Sequence, residues 1–463
     1  MLKKSHLLPL VVFTNLLCFC SKETPIQPKP ERAPQDAITT AKMSIDDAQK
    51  EVLAFINSFD PITRADHNPR IIESSFSLGG HQDTKTSVED GDVPLIHVFN
   101  FENNQGYAIA AGDRRVSPIL CITEEGSISQ DSVIENPGLL VALTEIDTYY
   151  RLMTGLPVTD KDGDQVIPEH NLNSLQLYSV DTLDVVDPPA EYSYVYGNWE
   201  DYSETGTALP CKWNQTYPFN NNCTTSDGLP AYVGCVAIAV GQIMYHWGKN
   251  YSYKNTYWNW STMRHVIDYS SIPSDTRSWD LVQRLLSTLG LQENLDMNYG
   301  AVADKKGSSA SCSKVSRTFE NFGYADGGSL EEYNFNTLKQ NLIYGPVLGC
   351  GYDTKTVKIN KILGIQVNKK TTYSGGHAWV YDKALVQRRQ IKEYKDGLLN
   401  NTFYETRNFV HINWGWGGQD DGYYFSTRLD TNSGPALTRG TTTYGVDGYY
   451  QYKLEMNCGI RAN

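Results

Sequence analysis

The most constraining feature of this sequence is an almost entirely apolar run that opens with a glycine and a cysteine. Residues 234–247 read GCVAIAVGQIMYHW, and Gly248 follows them. An apolar segment long enough for three helical turns predicts a helix that is buried on most faces. Cys235 then lies in the first helical turn, where unpaired N–H groups and the helix dipole favour a thiolate. A small cysteine that only packs in the core is the alternative.

Length, composition and charge are those of an ordinary globular protein with more than one domain. The 463 residues suffice for two or three domains, and a chain with 40% hydrophobic and 20% charged residues is not a disordered one. The net charge of -13 argues against nucleic acid as a partner. The 30 tyrosines and 37 glycines favour a β-rich, loop-rich body.

The N-terminal residues predict export and a lipid anchor. Two lysines precede an apolar stretch that is too short to span a bilayer, so residues 1–19 are interpreted as a signal peptide. The segment around Cys20 resembles a bacterial lipoprotein signal, with Cys20 as the lipidated residue, although Phe19 stands where a small residue is usual. Residues 20–43 would tether the protein to the outer membrane or cell surface. Ordinary secretory cleavage near the same place is the alternative.

Residues 44–155 are predicted to form a small α+β unit ahead of the main domain. Ser44 followed by acidic residues is typical of a helix start, and this helix is expected to end near Phe59. Alternating segments at 93–101, 106–111 and 119–123 predict strands, and Asn136-Pro137-Gly138 opens a second predicted helix. This unit holds no cluster of residues that suggests chemistry.

A polar connection follows this unit. Residues 156–207 contain a Pro-Pro-Ala sequence and show little periodicity, which predicts an exposed linker. Exposed linkers are preferred sites of proteolysis, so a processing site is expected within this segment. Residues 208–463 would then form the main domain.

A thiolate that reacts with carbonyl groups needs a base, and His377 is the first candidate. It follows Gly375 and Gly376 at the start of an alternating apolar strand, 142 residues after Cys235. The interval from cysteine to histidine in papain-type enzymes is about 130–150 residues. A histidine at a strand end with a satisfied hydrogen bond is the alternative.

A second aromatic strand offers a residue that could orient the imidazole. Asn413 lies in the sequence His-Ile-Asn-Trp-Gly-Trp-Gly-Gly, where its side chain could hold the ring of His377. Trp414 could then shield this contact from water. His411 shares a strand face with Asn413 and is a rival base.

The segment before the cysteine offers an amide donor. Gln215 lies in the sequence Trp-Asn-Gln. Its side-chain amide, together with the backbone N–H of Cys235, would form an oxyanion hole. A plain loop residue is the alternative.

Cysteine usage favours a free thiol and gives no metal site. Two of the nine cysteines, Cys18 and Cys20, fall in the leader, and the odd number that remains leaves at least one unpaired. Cys211 and Cys223 flank a short loop and are candidates for a disulfide. Without C-x-x-C spacing a zinc site is not expected, and no cofactor is predicted.

Several motifs, taken together and in this order, resemble streptopain-type cysteine peptidases. They are WNQ (213–215), PFN (218–220), GCVA (234–237), QIM (242–244), MNYG (297–300), SSA (308–310), FGY (322–324), GGHA (375–378) and NWGWGG (413–418). The resemblance implies an α+β, papain-like catalytic domain with a helical lobe and an antiparallel β-sheet lobe. It also implies a zymogen, in which residues 44–155 are an α+β prosegment that inhibits the enzyme.

The resemblance further implies a role for each matching residue. Cys235 would be the nucleophile, His377 the general base and acid, Gln215 the oxyanion donor, and Asn413 and Trp414 the orienting and shielding pair. Ser309, Gly375 and Gly376 would line the cleft that binds peptide or protein substrates.

The sequence departs from the family pattern at two places. Residues 353–372 form a Lys/Thr-rich insertion, which is either a hairpin flap or a solvated loop. Cys312 replaces a small polar residue near the expected substrate wall.

These residues predict an exported, lipid-anchored cysteine endopeptidase. Two alternatives stay open at the level of sequence. The same thiol and imidazole could pass an acyl group to an amine, as in a thiol acyltransferase. A non-catalytic surface lipoprotein could instead bind glycans through its tyrosines and tryptophans.

Overall fold

The computed structural model describes most of both predicted units. The described residues are 42–63, 69–79, 95–114, 116–134, 136–154, 156, 158–159, 165–167, 192–270, 276–353, 361–363, 365–367, 376–426, 437–439, 442–444 and 452–462. The predicted signal peptide, Cys20, nearly all of the tether and Gly375 lie outside them. Among the described helices, each is too short or too polar to cross a membrane.

The N-terminal unit combines two helices with short strands. In chain order it contains α1 (Ile45–Thr63), β1 (Ile72–Leu78), β2 (Ile96–Phe101), β3 (Tyr107–Ala111), β4 (Ile119–Thr123), β5 (Val133–Ile134) and α2 (Pro137–Thr154), and the connection after it holds β6 (Val158–Thr159) and β7 (Gln165–Ile167). Each strand and helix expected here from the sequence is present, with ends that differ by a few residues.

The main domain begins with two strands, continues with helices and ends in long strands. Its elements are β8 (Tyr192–Tyr196), β9 (Glu200–Gly206), α3 (Cys235–Trp247), β10 (Tyr251–Tyr253), β11 (Thr256–Trp258), α4 (Trp260–Met263), α5 (Thr276–Leu289), α6 (Val315–Asn321), β12 (Asp326–Glu332), α7 (Phe335–Leu342), β13 (Val347–Asp353), β14 (Lys361–Ile362), β15 (Ile365–Val367), β16 (His377–Lys395), β17 (Leu398–Asn413), β18 (Gly422–Phe425), β19 (Leu437–Arg439), β20 (Thr442–Tyr444) and β21 (Tyr452–Arg461).

One antiparallel sheet connects the two units. Its strand order is β1-β2-β3-β4-β18-β17-β16-β13-β21-β12, and β8 and β9 also pair with the long strand β16. The junction is the pairing of β4 with β18, in which Thr123 lies opposite Gly422. The N-terminal unit therefore continues the sheet of the main domain.

The helix α3 forms where the apolar run predicts it. Its residues from Val236 to Tyr245 are all buried, and Gly248 ends it in the left-handed conformation that glycine adopts without strain. This helix packs in one core with α5 and with Ala378 and Val380 of β16. The predicted α+β fold, with a helical lobe beside an antiparallel sheet, is confirmed.

Part of the segment expected to be an exposed linker is instead part of the sheet. Residues 192–206 form β8 and β9, which pair with β16. Glu200 pairs with Arg388 at 2.8 Å, and the guanidinium of Arg389 lies 4.4 Å from the ring centroid of Tyr196. The segment lacks an apolar pattern because it binds a basic strand through charge and aromatic stacking.

The described part of the 353–372 insertion is a hairpin that contacts the N-terminal unit. β14 and β15 pair with each other, and β15 also pairs with β5. Leu363 and Ile365 are buried. A fully solvated loop is therefore wrong for these residues, and the rest of the insertion lies outside the described residues.

Candidate active site

Cys235 is the first residue of α3, and its sulfur faces the sheet. Gly234 precedes it with φ of +93°, and a Cβ on Gly234 would lie 2.8 Å from the sulfur of Met297. The position therefore requires glycine. The backbone N–H of Ala378 donates to the Cys235 Sγ at 3.4 Å. The sulfur thus lies against the residue that follows His377.

The protonation state of Cys235 depends on two opposing effects. Burial raises the pKa of the Cys235 thiol, whereas hydrogen bonds from the backbone N–H groups of Ala378, Val236 and Cys235 itself lower it. Burial is the larger effect, so this arrangement favours the neutral thiol.

His377 is the first residue of β16 and is 5% exposed. Its Nε2 lies 3.2 Å from the carbonyl oxygen of Trp414, a distance at which a protonated Nε2 donates to that oxygen. Burial lowers the pKa of His377 to about 4, against a smaller opposite effect of this hydrogen bond. The imidazole is therefore neutral near pH 7.

Asn413 does not contact His377 among the hydrogen bonds of the described residues. Its Oδ1 accepts from Gln242 Nε2 at 2.8 Å and from the N–H of Gly415 at 3.1 Å, and its Nδ2 donates to the carbonyl of Cys211 at 2.9 Å. Asn413 is the last residue of β17, and its hydrogen bond with Gln242 links this strand to α3. The expected hydrogen bond to the imidazole is not made here.

Trp414 directly follows the last residue of β17, which pairs with the strand of His377. It is 1% exposed, and its ring centroid lies 6.3 Å from that of His377. The Trp414 indole N–H donates to the hydroxyl of Tyr424 at 3.1 Å. Trp414 therefore contacts His377 through its carbonyl and covers it with its ring.

The remaining candidates lie nearer to solvent. Gln215 is half-buried, and its carbonyl accepts from the N–H of Val233 at 2.9 Å. Ser309 is exposed and pairs with Asn298 through backbone hydrogen bonds of 2.9 and 3.0 Å. Gly376 is also exposed.

The N-terminal unit covers His377 and Trp414. The helix α2 begins at Pro137, and the Asn136 Oδ1 caps it by accepting from the N–H of Gly138 at 3.0 Å. A Cβ on Gly138 would lie 2.2 Å from the ring of Trp414 and 2.6 Å from Cδ2 of His377. Glycine therefore lets the helix start lie directly on this pair.

His411, the rival base, lies in a cluster of carboxylates. Its Nδ1 lies 2.5 Å from Asp382 and its Nε2 lies 3.3 Å from Glu124 of the N-terminal unit. Although burial opposes it, the charges and hydrogen bonds of these carboxylates raise the pKa of His411 to about 10. A histidine that keeps its proton at neutral pH cannot serve as the base.

Two of these charged groups, Glu124 and Asp382, were not found from the sequence. Asp382 is 1% exposed and also accepts from the backbone N–H of Leu209 at 2.7 Å. The sequence shows Asp382 only as an acidic residue directly after an apolar segment, and this pattern is too common to indicate a functional residue.

The cysteine pairing differs from the expectation. Cys211 and Cys223 are free and buried, so the predicted disulfide between them is wrong. Cys312 and Cys350 form a disulfide instead. Cys211 and Cys223 both pack in the core that contains α3, and spacing in the sequence alone does not establish a disulfide. Among the described residues, no His, Cys, Asp and Glu side chains group as metal ligands.

Comparison with known proteins defines the class. Residues 213–424 match the Peptidase C10 family, and residues 38–148 match the Spi protease inhibitor family. Over these residues the chain is similar to the cysteine peptidases of the Peptidase C10 family, with an inhibitor-like segment ahead of the peptidase segment. The resemblance to streptopain-type peptidases with a prosegment is confirmed.

The individual relatives share less than 30% sequence identity with this chain. The thiol protease/hemagglutinin PrtT of Porphyromonas gingivalis is 25% identical over 412 residues, which cover 86% of this chain and 40% of that protein. Streptopain of Streptococcus pyogenes is 29% identical over 248 residues, which cover 48% of this chain and 52% of that protein. The chain thus spans about half the length, or less, of these curated relatives.

Two solved structures from Prevotella intermedia are similar. A mutant fragment of prointerpain A has a TM-score of 0.47 and 18% identity, and the match covers 84% of this chain and 100% of that chain. The active wild-type interpain A has a TM-score of 0.31 and 21% identity, with 55% and 94% covered.

Proposed function

We propose that this chain is the inactive precursor of an exported cysteine endopeptidase that hydrolyses peptide bonds in proteins through Cys235 and His377. The observation that carries the proposal is the position of the Cys235 sulfur. It lies at the N-terminus of a buried helix and accepts a hydrogen bond from Ala378, which is the residue after His377. A free thiol at a helix N-terminus is typical of an activated nucleophile, and the contact with Ala378 supports His377, one residue away, as its base.

In the proposed reaction the thiolate of Cys235 attacks the peptide carbonyl carbon. The resulting oxyanion accepts hydrogen bonds from the side chain of Gln215 and the backbone N–H of Cys235. His377 takes the thiol proton and gives it to the leaving amine, which departs as the acyl-enzyme forms. His377 then removes a proton from water, which attacks the acyl-enzyme and releases the carboxylate.

The remaining site residues hold the base and the substrate. Asn413 orients the imidazole of His377 once the ring has left the carbonyl of Trp414, and the indole of Trp414 keeps water from that contact. Ser309, Gly375 and Gly376 bind the substrate backbone along the cleft.

The N-terminal unit, residues 44–155, acts as an intramolecular inhibitor. The close contact of Gly138 with the rings of His377 and Trp414 supports this role. Burial keeps His377 neutral and Cys235 as a thiol, so the reactive ion pair is absent while the unit is bound. Release of the unit lets water reach His377, which can then accept the proton of the Cys235 thiol.

Maturation requires a cut in the connection at 156–207. We place the cut ahead of Tyr192, because residues 192–206 pair with β16 of the main domain. Export through residues 1–19 and lipidation at Cys20, with residues 20–43 as the tether, belong to the same proposal. Mass spectrometry of the protein from its native membrane reports the lipid and the mature N-terminus together.

The test compares casein hydrolysis by processed wild-type protein with that by Cys235→Ala and Cys235→Ser. Loss of the nucleophile should lower the rate at least about 10⁴-fold, because the other groups cannot replace it. Cys458→Ala, which alters another buried free thiol, is the matched control and should keep its activity. Wild-type rates in Cys235→Ala would exclude this cysteine as the nucleophile.

A further inference from the structure

An ion pair crosses the boundary between the two units beside the candidate active site. The Nζ of Lys212 in the main domain binds the carboxylate of Glu125 in the N-terminal unit. Both side chains are about one-third exposed. Neither residue takes part in the proposed reaction, so the contact needs a separate explanation.

Lys212 is held in place by its surroundings. Its backbone N–H donates to the carbonyl of Ile267 at 2.7 Å. Its side chain passes over Gly418, where a Cβ would lie 2.7 Å from the lysine Cδ. Gly418 has φ of +92°, so backbone and space both favour glycine there. The aliphatic part of the Lys212 side chain therefore packs against Gly418, and its ammonium group extends beyond this contact to Glu125.

The ammonium group borders an open recess of about 630 Å³. The main domain supplies one wall of the recess, with Lys212, Asn214, Tyr217, Trp416 and Gln419 among its residues. The N-terminal unit supplies the other wall, including Glu125 and Ser127. When that unit leaves, the recess opens and Lys212 loses the carboxylate that it binds.

The recess is lined by residues that lie close to candidate site residues in sequence. Asn214 and Trp416, which line it, are sequence neighbours of Gln215 and Trp414. The N–H of Gly417 donates to the carbonyl of Trp213 at 3.0 Å, which joins the two loops. A substrate whose leaving amine faces His377 can extend its chain past Trp414 toward this recess.

Among the described residues that line the recess, Lys212 is the cation, and Glu125 and Asp268 are the carboxylates. Partial burial opposes the effect, but Glu125, with Glu124 and Asp421, raises the pKa of Lys212 above its ordinary value. Two of these three carboxylates depart with the N-terminal unit. Asp268 also lines the recess, and it accepts a hydrogen bond from Ser270 Oγ at 2.7 Å.

We propose that this recess is a substrate subsite on the leaving-group side that takes an acidic side chain, with Lys212 as its specificity-determining cation. This inference rests on the proposed peptidase function. In the precursor, Glu125 occupies the place that a substrate carboxylate takes in the mature enzyme.

The test uses processed, active-site-titrated enzyme and peptides with one glutamate at the first, second or third position after the scissile bond. Each peptide is compared with its glutamine counterpart. Wild type should prefer glutamate at one position about two- to fivefold in kcat/KM, the range of an exposed ion pair. This ratio should fall toward one in 0.5 M salt, because salt screens exposed charges.

Lys212→Gln should bring the ratio near one, and Lys212→Glu should invert it in favour of a lysine-containing peptide. Lys254→Gln, which removes the exposed ion pair with Glu293, is the matched control and should keep the wild-type ratio. A glutamate preference unchanged in both Lys212 variants, or absent from wild type, would overturn the subsite. Failure of every enzyme to cleave any peptide would instead overturn the peptidase function.

Discussion

Two buried histidines of this chain have opposite environments, and the difference separates their roles. His377 has apolar and aromatic neighbours and a single carbonyl partner, whereas His411 lies between Asp382 and Glu124. Burial lowers the pKa of His377 to about 4, and the two carboxylates raise the pKa of His411 to about 10. A base must release and accept a proton near its working pH, and only His377 can approach that range once water reaches it.

The low pKa of His377 predicts that the precursor loses stability in acid. The unfolded chain binds a proton at this histidine near pH 6.5, whereas the folded chain binds it only near pH 4. The contribution is present above pH 6.5 and is lost as the pH falls toward 4. In a Cys235→Ala background, the free energy of unfolding relative to His377→Leu should fall by about 3 kcal/mol between pH 7 and pH 4. Urea unfolding measures it, and a difference independent of pH would contradict the burial of a neutral ring.

At the scale of single elements, the start of α2 contacts the rings of His377 and Trp414. Asn136 links it further to the main domain, because its Nδ2 donates to the Asp420 carboxylate at 3.1 Å. The same carboxylate accepts from the hydroxyl of Tyr107 at 3.1 Å. Both donors belong to the N-terminal unit, so buried polar contacts fix the helix start over His377.

Gly138→Ala should weaken this hold. The added Cβ would overlap the ring of Trp414, and overpacking of this kind costs about 1–3 kcal/mol. Uncut full-length Gly138→Ala should therefore hydrolyse a small peptide measurably faster than the uncut wild-type precursor, while the two processed enzymes should be equal. Gly307→Ala, where a Cβ meets nothing within 4 Å, is the control. An uncut variant as inactive as wild type would show that this contact does not cause latency.

The disulfide between Cys312 and Cys350 links the helical part of the main domain to its sheet. Cys312 lies in the 3-10 turn before α6, and Cys350 lies on β13 opposite Ala378 of β16. It therefore ties the loop after Ser309 to the strand next to His377. The sequence marked Cys312 only as an unusual residue at this wall and gave no partner.

Removing this disulfide should lower stability, because the bond closes a loop between residues 38 positions apart. A loop of that length restricts the unfolded chain enough to contribute about 2–4 kcal/mol. Cys312→Ala/Cys350→Ala should lose about that amount in urea unfolding under oxidising conditions. Equal stability of the double variant and wild type would indicate that the bond does not form in solution.

At the scale of the whole molecule, one sheet runs through both units. β4 pairs with β18, and β18 pairs with β17, which carries His411 and Asn413. Release of the N-terminal unit therefore breaks backbone hydrogen bonds as well as side-chain contacts. The latent state is supported by strand pairing, by the contact of Gly138 and by the charge pairs of Glu124 and Glu125.

The amino-acid sequence sufficed for α3 and for the main elements of the N-terminal unit, but not for β8 and β9 or for the contacts between elements. The apolar run predicted α3, and Asn136-Pro137-Gly138 predicted the start of α2, because helix burial and capping are local properties. The pairing of β4 with β18, and of Cys312 with Cys350, joins residues distant in sequence, for which a single sequence carries no signal. The expected hydrogen bond of Asn413 with His377 is not made in this structure, where Asn413 contacts Gln242, Gly415 and Cys211, and its orienting role stays a prediction.

The most direct test of the account is the reactivity of Cys235 before and after processing. Native full-length and processed proteins are treated with iodoacetamide at pH 7, and mass spectrometry gives the labelling rate of each cysteine. Because thiolates react and thiols do not, Cys235 should label at least about tenfold faster after processing, while the buried free cysteines stay slow. Equal rates in the two forms, or an unlabelled Cys235 in processed protein, would contradict a nucleophile held inactive by its N-terminal unit.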